Sequence, residues 1–139
     1  MVLTASIAVT VATLSRLPDL AWNGQLALGR KLYAQHCAAC HGANLEGQPN
    51  WQTPNADGKL PAPPHDASGH TWHHSDRELF QITKHGMCEY LPGHKSDMPG
   101  FETILTDAEI WSILKFIKST WPAREREYQG LRNRRATDH

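Results

Sequence analysis

The residues with the clearest chemistry are Cys37, Cys40 and His41, in the run Cys37-Ala38-Ala39-Cys40-His41. Two thiols spaced C-x-x-C, with a histidine directly after the second, form the attachment signature of a c-type haem. Each thiol adds to one vinyl group of the porphyrin and makes a thioether, and the imidazole then faces the iron. We therefore predict one haem c, bound covalently through Cys37 and Cys40, with His41 as an iron ligand.

Two other uses of a C-x-x-C pair fit this chain less well. A zinc site usually needs a second such pair or a spaced pair of histidines, and no second C-x-x-C occurs here. A thioredoxin-type redox pair would lie in a βαβ pattern, which the sequence lacks. Haem attachment is therefore the interpretation that the motif favours.

The second axial ligand of the iron has several candidates: Met87, Met98 and the histidines of the loops. We favour Met98, because Pro99 and Gly100 fix the chain beside it and a helical pattern follows. Met87 comes directly after a helix-ending glycine, so we expect it to fill a gap in the packing. Ligation by His41 and Met98 would close both axial positions and raise the reduction potential, which suits electron transfer.

Composition sets the scale and excludes some partners. The chain has 139 residues, which predicts one domain, and its 14 basic and 14 acidic residues give a formal net charge of zero. That balance argues against a nucleic-acid partner. Apolar residues make up only 40 % of the chain, so a buried porphyrin would supply missing core. Nine prolines and ten glycines indicate long loops between few helices.

The positioning elements follow from periodicity and capping signals. Leu26, Leu28, Leu32 and Tyr33 predict an apolar face on the first helix. The later helices each begin with a capping box, and prolines rule out regular helix in the loops. In order we predict a helix over Asn23–Cys37, a loop over Gly42–Thr71, a helix over Ser75–His85, a loop over Met87–Phe101, a helix over Thr106–Trp121, and from Ala123 a solvated helix extension or flexible end.

The N-terminal stretch Met1–Ser15 is apolar and free of charge. It resembles the hydrophobic region of a secretion signal or a membrane anchor, with an ordinary packed segment as the alternative. Haem attachment normally takes place outside the cytoplasm, which favours export to the periplasm. The expected organisation is a signal, anchor or extension over 1–22, a haem domain over 23–121 and a polar tail over 122–139.

A family resemblance covers about residues 25–121. A helix with Gly29 and Tyr33 leads into the haem motif, a proline-rich loop follows, and Met98-Pro99-Gly100 precedes an amphipathic last helix. This pattern resembles a bacterial monohaem class I cytochrome c. The resemblance implies an all-α fold with about three main helices and long loops around one covalent haem, and a crossing of the first and last helices at Gly29 and Phe116.

Further site residues are expected around the haem. A carbonyl within Pro61–Pro64 could accept the Nδ1 proton of His41, and the resemblance points to Pro63. Trp72 could donate its indole N–H to a haem propionate. Three clustered histidines raise the hypothesis of a second metal, although propionate or backbone hydrogen bonding suits them better; they are His70, His73 and His74. We expect Cys88 to be a buried small side chain, with an intermolecular bridge as the alternative.

These observations predict an electron carrier and not an enzyme. It would exchange single electrons with redox protein partners, and it would reach membrane complexes if Met1–Ser15 anchors it. Two alternatives remain open. The chain could be the haem subunit of a larger oxidase or dehydrogenase complex, or it could bind a gas or peroxide where Met98 is displaceable.

Overall fold

The structure is a computed structural model that describes residues 21–137. The expectation for Met1–Ser15 lies outside these residues. Within the described part the regular secondary structure is entirely helical, which confirms the predicted all-α class. The elements are α1 over residues 21–36, α2 (Ala38–His41), a 3-10 helix (Thr71–His73), α3 (Asp76–His85), α4 (Met87–Tyr90), α5 (Asp107–Ser119) and α6 (Ala123–Thr137).

Both predicted capping boxes are present. At the start of α3 the Ser75 hydroxyl accepts from the backbone N–H of Glu78, whose carboxylate in turn accepts from the Ser75 N–H. Thr106 and Glu109 repeat this arrangement at the start of α5. Each box satisfies backbone donors that have no partner within the helix. These two starts fix where α3 and α5 enter the domain.

The first helix crosses α5 at Gly29, as the sequence predicts. A Cβ added at Gly29 would lie 1.9 Å from the carbonyl oxygen of Ser112 and 3.0 Å from the Cβ of Phe116. The ring of Tyr33 packs against the ring of Phe116, with centroids 5.6 Å apart. Only a residue without a side chain permits the two backbones to approach this closely. The crossing holds α1, and therefore the haem motif at its end, against the core.

The core lies between α1, α3 and α5. Leu79, Phe80 and Ile82 of α3 are buried. The predicted apolar face of α1 is partly wrong, because Leu28 is 40 % exposed and only Leu32 and Tyr33 are buried. Leu28 lies about one third of a turn from Gly29, which puts it outside the stripe that meets α5.

The polar tail is a helix that packs on the domain. Gln129 is 2 % exposed, and its side-chain amide donates to the Asp76 carboxylate at 2.6 Å. The Asn133 amide donates to the other oxygen of Asp76 at 3.0 Å, and the Arg132 guanidinium donates to the carbonyl of His73. Of the two expectations for this segment, the structure shows the helix. Within residues 21–137, no helix has the length and apolar character that a membrane crossing requires.

Candidate functional site

The haem motif occupies the junction between α1 and α2. The Cys37 N–H donates to the Tyr33 carbonyl at 2.9 Å, so the motif continues the end of α1. Cys37 is partly buried and Cys40 is exposed. Burial, reinforced by the nearby Cys40, raises the pKa of the Cys37 thiol to about 11. Both sulfurs are unpaired and available for thioether bonds.

His41 ends α2 and is 7 % exposed. Its Nδ1 lies 2.8 Å from the carbonyl oxygen of Pro63, so the hydrogen bond predicted for this stretch is present. A carbonyl only accepts, so Nδ1 carries the proton. Burial lowers the pKa of His41 against the opposing effect of that hydrogen bond. The neutral ring therefore has its lone pair on Nε2, which is the form that binds a metal.

Two glycines pack closely against the backbone of Pro63 and Pro64, the segment that supplies this carbonyl. A Cβ at Gly47 would lie 2.4 Å from the backbone nitrogen of Pro64, and a Cβ at Gly69 would lie 2.0 Å from the Pro64 carbonyl oxygen. Gly47 also has φ +69°, a conformation that glycine adopts without strain. The proline segment is thus held between two stretches of backbone, and the Pro63 carbonyl is fixed behind His41.

His65 is a residue of this site that the sequence indicated only as one of several loop histidines, with no specific role. Its ring stacks on the ring of His41, with centroids 4.0 Å apart and an interplanar angle of 24°. Burial, with smaller contributions from His41 and His70, lowers the pKa of His65 well below its usual value. Its position two residues after Pro63 was the available signal, since a segment that reaches His41 brings its neighbours with it.

Trp72 and His70 each have a buried polar atom that lacks a partner. Trp72 Nε1 and His70 Nδ1 are buried and have no hydrogen-bond partner among the described residues. The Trp72 indole meets the Tyr128 ring edge-on at 5.2 Å, and Trp51 stacks on His70 at 5.2 Å. Buried indole and imidazole nitrogens normally find partners. The Trp72 indole N–H can only donate, so an acceptor such as a haem propionate would satisfy it.

Met98 lies half-buried in the loop between α4 and α5. Its N–H donates to the Ser96 hydroxyl at 3.1 Å. After it, a Cβ on Gly100 would lie 2.7 Å from the carbonyl oxygen of His85, so the loop meets the end of α3 backbone to backbone. Met87 is half-buried too, so burial alone does not separate the two methionines.

Two other expectations concern side chains near this loop. The expectation of a buried Cys88 is wrong, because Cys88 is exposed; its thiol donates to the Ser96 carbonyl at 3.4 Å. The helix that contains it, α4, has four residues and buries none of them.

Among the described residues, one group of three side chains has its possible metal-ligand atoms close together, and it does not include His70, His73 or His74. That set is formed by His85, Glu89 and Glu102. The Glu102 carboxylate lies 3.3 Å from Nδ1 of His85, and Glu89 lies 3.6 Å from the same atom. Both carboxylates lie within ion-pairing distance of the imidazole. The second-metal hypothesis for His70, His73 and His74 stays a prediction.

A comparison with protein families decides the identity. The family model for cytochrome c matches residues 26–121, more than two thirds of the chain. The chain belongs to the cytochrome c family. No solved structure matches it.

Membership of the cytochrome c family supports the interpretation of the motif as a haem-attachment site. The family implies a covalent haem c, and Cys37 and Cys40 fit this attachment. The residues of the site fit the group independently, because His41 carries its proton on Nδ1 toward Pro63, and the buried Trp72 indole N–H is a donor with no partner among the described residues. Membership of this family therefore supports a function in haem-based electron transfer.

Proposed function

We propose that this cytochrome c is a one-electron carrier with a single haem c, ligated by His41 and Met98. The observation that carries the proposal is the setting of His41. It follows the two cysteines directly, is buried, and donates Nδ1–H to Pro63, which leaves Nε2 for the iron. Haem, when bound, supplies reversible one-electron chemistry at its iron.

The remaining residues of the site bind and orient. Cys37 and Cys40 anchor the porphyrin, while the Pro63 carbonyl sets the tautomer and raises the basicity of the His41 imidazole. The Trp72 indole binds a propionate. A thioether from Met98 would complete the axial pair and leave no position for substrate, so the protein would change oxidation state with little rearrangement.

The proposal includes a place and a type of partner. Covalent haem attachment occurs outside the cytoplasm, and the uncharged Met1–Ser15 stretch is consistent with export or anchoring, so we place the protein in the periplasm. Its partners would be redox proteins that dock weakly on a small surface. A net charge of zero is consistent with docking that does not depend on long-range attraction.

The loop between α4 and α5 that contains Met98, here called the distal loop, is exposed, and this exposure favours a second candidate function. Lys95, Asp97 and Pro99 around Met98 are all exposed, and the Asp97 side chain is 75 % accessible. A loop of this kind could swing away and let a gas or peroxide reach the position of the Met98 sulfur. In that case the protein would be a sensor or an enzyme.

Replacement of the two methionines tests the proposal. Met98→Ala should keep the haem covalently attached, lower the reduction potential and permit carbon monoxide to bind the reduced protein, because a soft ligand of ferrous iron is lost. The unmodified protein should show the weak ferric absorption band of methionine ligation and bind no carbon monoxide. Binding of carbon monoxide by the unmodified protein would instead support the sensor or enzyme.

Met87→Ala is the matched control, since Met87 is half-buried like Met98. It should leave the ferric band, the potential and the behaviour toward carbon monoxide unchanged. If Met87→Ala produces the changes expected for Met98→Ala, the wrong methionine has been assigned. If neither variant changes ligand binding, the distal ligand is a histidine.

A further inference from the structure

We propose that His65 is a positioning residue for the proximal ligand: its ring holds the imidazole plane of His41 in one orientation. The inference rests on the proposed ligation of iron by His41. It starts from the stacked pair, whose centroids lie 4.0 Å apart with an angle of 24° between the planes. A ring in this position blocks one face of His41, so His41 cannot rotate toward it.

The hydrogen bond to Pro63 alone does not fix the ring plane. A bond from Nδ1 to one carbonyl oxygen sets the tautomer, but hydrogen bonds at carbonyl oxygens tolerate a broad range of directions. The stacked ring adds the missing restraint, because close-packed neighbours resist displacement. Pro63 and His65 act on His41 from one short segment, the first through its backbone and the second through its side chain.

His65 is itself held from several directions, which a positioning residue requires. Its Nδ1 lies 2.8 Å from the hydroxyl oxygen of Thr71, and that hydroxyl donates to the Pro64 carbonyl at 3.3 Å. Since the hydroxyl proton is used on Pro64, its oxygen accepts from Nδ1–H of His65. The His65 N–H donates to the Leu45 carbonyl at 2.8 Å, and the Trp121 indole donates to the His65 carbonyl at 2.7 Å.

The anchors of His65 are themselves buried. Thr71, Leu45 and Trp121 are 5 %, 5 % and 1 % exposed. The Tyr33 ring also approaches His65, with centroids 6.2 Å apart in an edge-on arrangement. A hydrogen-bonded ring within such a shell has one orientation available. It transmits that orientation to His41, and it keeps water from the back of the proximal ligand.

The expected effects are spectroscopic and electrochemical. The orientation of an axial imidazole and the access of solvent to it both change the spectrum and the reduction potential of a haem, even when no ligand is removed. His65→Leu removes the ring at similar volume, so His41 should adopt several orientations. The ferric electron paramagnetic resonance signal should then broaden or shift, and the reduction potential should fall as water reaches the proximal side. His65→Phe keeps a stacking ring but loses the hydrogen bond to Thr71, so the signal should change less than in His65→Leu.

Thr71→Val provides a milder second variant in case His65→Leu does not mature. Valine has the shape of threonine but cannot accept from His65, so the signal should shift in the same direction by a smaller amount. Thr83→Val is the matched control, because the buried Thr83 hydroxyl donates only to the Leu79 carbonyl within α3. It should lower the melting midpoint without altering the signal.

The inference is overturned if Thr71→Val keeps the wild-type signal and potential, and if any His65→Leu protein that carries haem does the same. A fall in the melting midpoint alone would not support it. That result would reduce His65 to a core residue. A separate observation tests the proposed function beneath it. If His41→Ala leaves the optical and paramagnetic signals of the haem unchanged, the ligation by His41 is wrong, whatever the His65 and Thr71 variants show.

Discussion

The segment behind His41 and the loop that contains Met98 are held in different ways. The proximal segment, residues 63–65, is held by contacts from other parts of the chain. These are the backbone at Gly47 and Gly69 and the buried Trp121 indole, which donates to the His65 carbonyl. The distal loop is fixed by backbone packing at one end, where Gly100 meets α3. Nearer Met98 it is held by a bond within the loop, from the Met98 N–H to the Ser96 side chain, and by exposed contacts of Asp97 with Lys59 and of Lys95 with the Asp57 carbonyl.

This difference assigns separate tasks to the two sides of the proposed haem. A buried, restrained His41 gives a ligand whose orientation and protonation stay constant through many electron transfers. The exposed distal loop can open at a lower free-energy cost, because exposed segments with few buried contacts open first. Any ligand exchange should therefore occur at Met98, whereas changes in the proximal segment should shift the potential without opening a coordination position.

The largest expected effect concerns the cysteines on the two sides. Cys37 and Cys40 lie on the proximal side, whereas Cys88 lies exposed beside the distal loop. In the double variant Cys37→Ala and Cys40→Ala, acidified organic solvent should extract all haem that copurifies, because no thioether remains. In Cys88→Ala the haem should stay with the polypeptide, as in the unmodified protein. Covalent haem in the double variant would contradict the assignment of the motif.

A second comparison uses one glycine from each side. Gly69→Ala puts a Cβ 2.0 Å from the Pro64 carbonyl oxygen, a backbone atom that cannot move aside easily. Such overpacking should cost about 3 kcal/mol of unfolding free energy and shift the proximal segment. Gly93→Ala meets no atom within 4 Å, so the cost comes only from its φ of +88° and should be about 1 kcal/mol.

Urea unfolding, followed by tryptophan fluorescence, measures both costs. The ferric spectrum adds a second readout, since only Gly69→Ala should disturb the His41–Pro63 hydrogen bond. Equal destabilisation by the two substitutions, with both spectra unchanged, would mean that the proximal segment is no more constrained than the distal loop.

Local signals explain what could be predicted from the sequence. The haem motif and the two capping boxes are short patterns in which a few neighbouring residues satisfy one chemical requirement. Gly29 and Phe116 were placed at the crossing through family resemblance, and the 1.9 Å approach of Gly29 to Ser112 shows why only glycine fits there.

Contacts made by irregular or polar segments could not be predicted in this way. His65 reaches His41 through a proline-rich loop, where no period relates position to orientation. The helix α6 buries Glu125 and Gln129, which are polar, so its packed face has no apolar stripe to reveal it. Cys88 was expected to be buried by residue type, but the short α4 presents it to solvent.

The smallest expected effect tests how the Met98 loop is held. The Ser96 hydroxyl accepts from the Met98 N–H at 3.1 Å, so Ser96→Ala removes a restraint within the distal loop. A hydrogen bond of this kind contributes about 1 kcal/mol. An external ligand must first displace Met98, so its apparent affinity rises with the open fraction of the loop. Imidazole should bind the ferric protein about fivefold more tightly in Ser96→Ala.

Ser68→Ala is the matched control from the proximal side. Ser68 is also a hydrogen-bonded loop serine, although more exposed than Ser96, and its hydroxyl donates to the Asp66 carboxylate at 2.6 Å, close to the segment behind His41. Because His41 is restrained by several other contacts, loss of this bond should leave imidazole affinity unchanged. Optical titration with imidazole measures both variants. Tighter binding in Ser68→Ala than in Ser96→Ala would reverse the comparison, since it would place the exchangeable ligand on the proximal side.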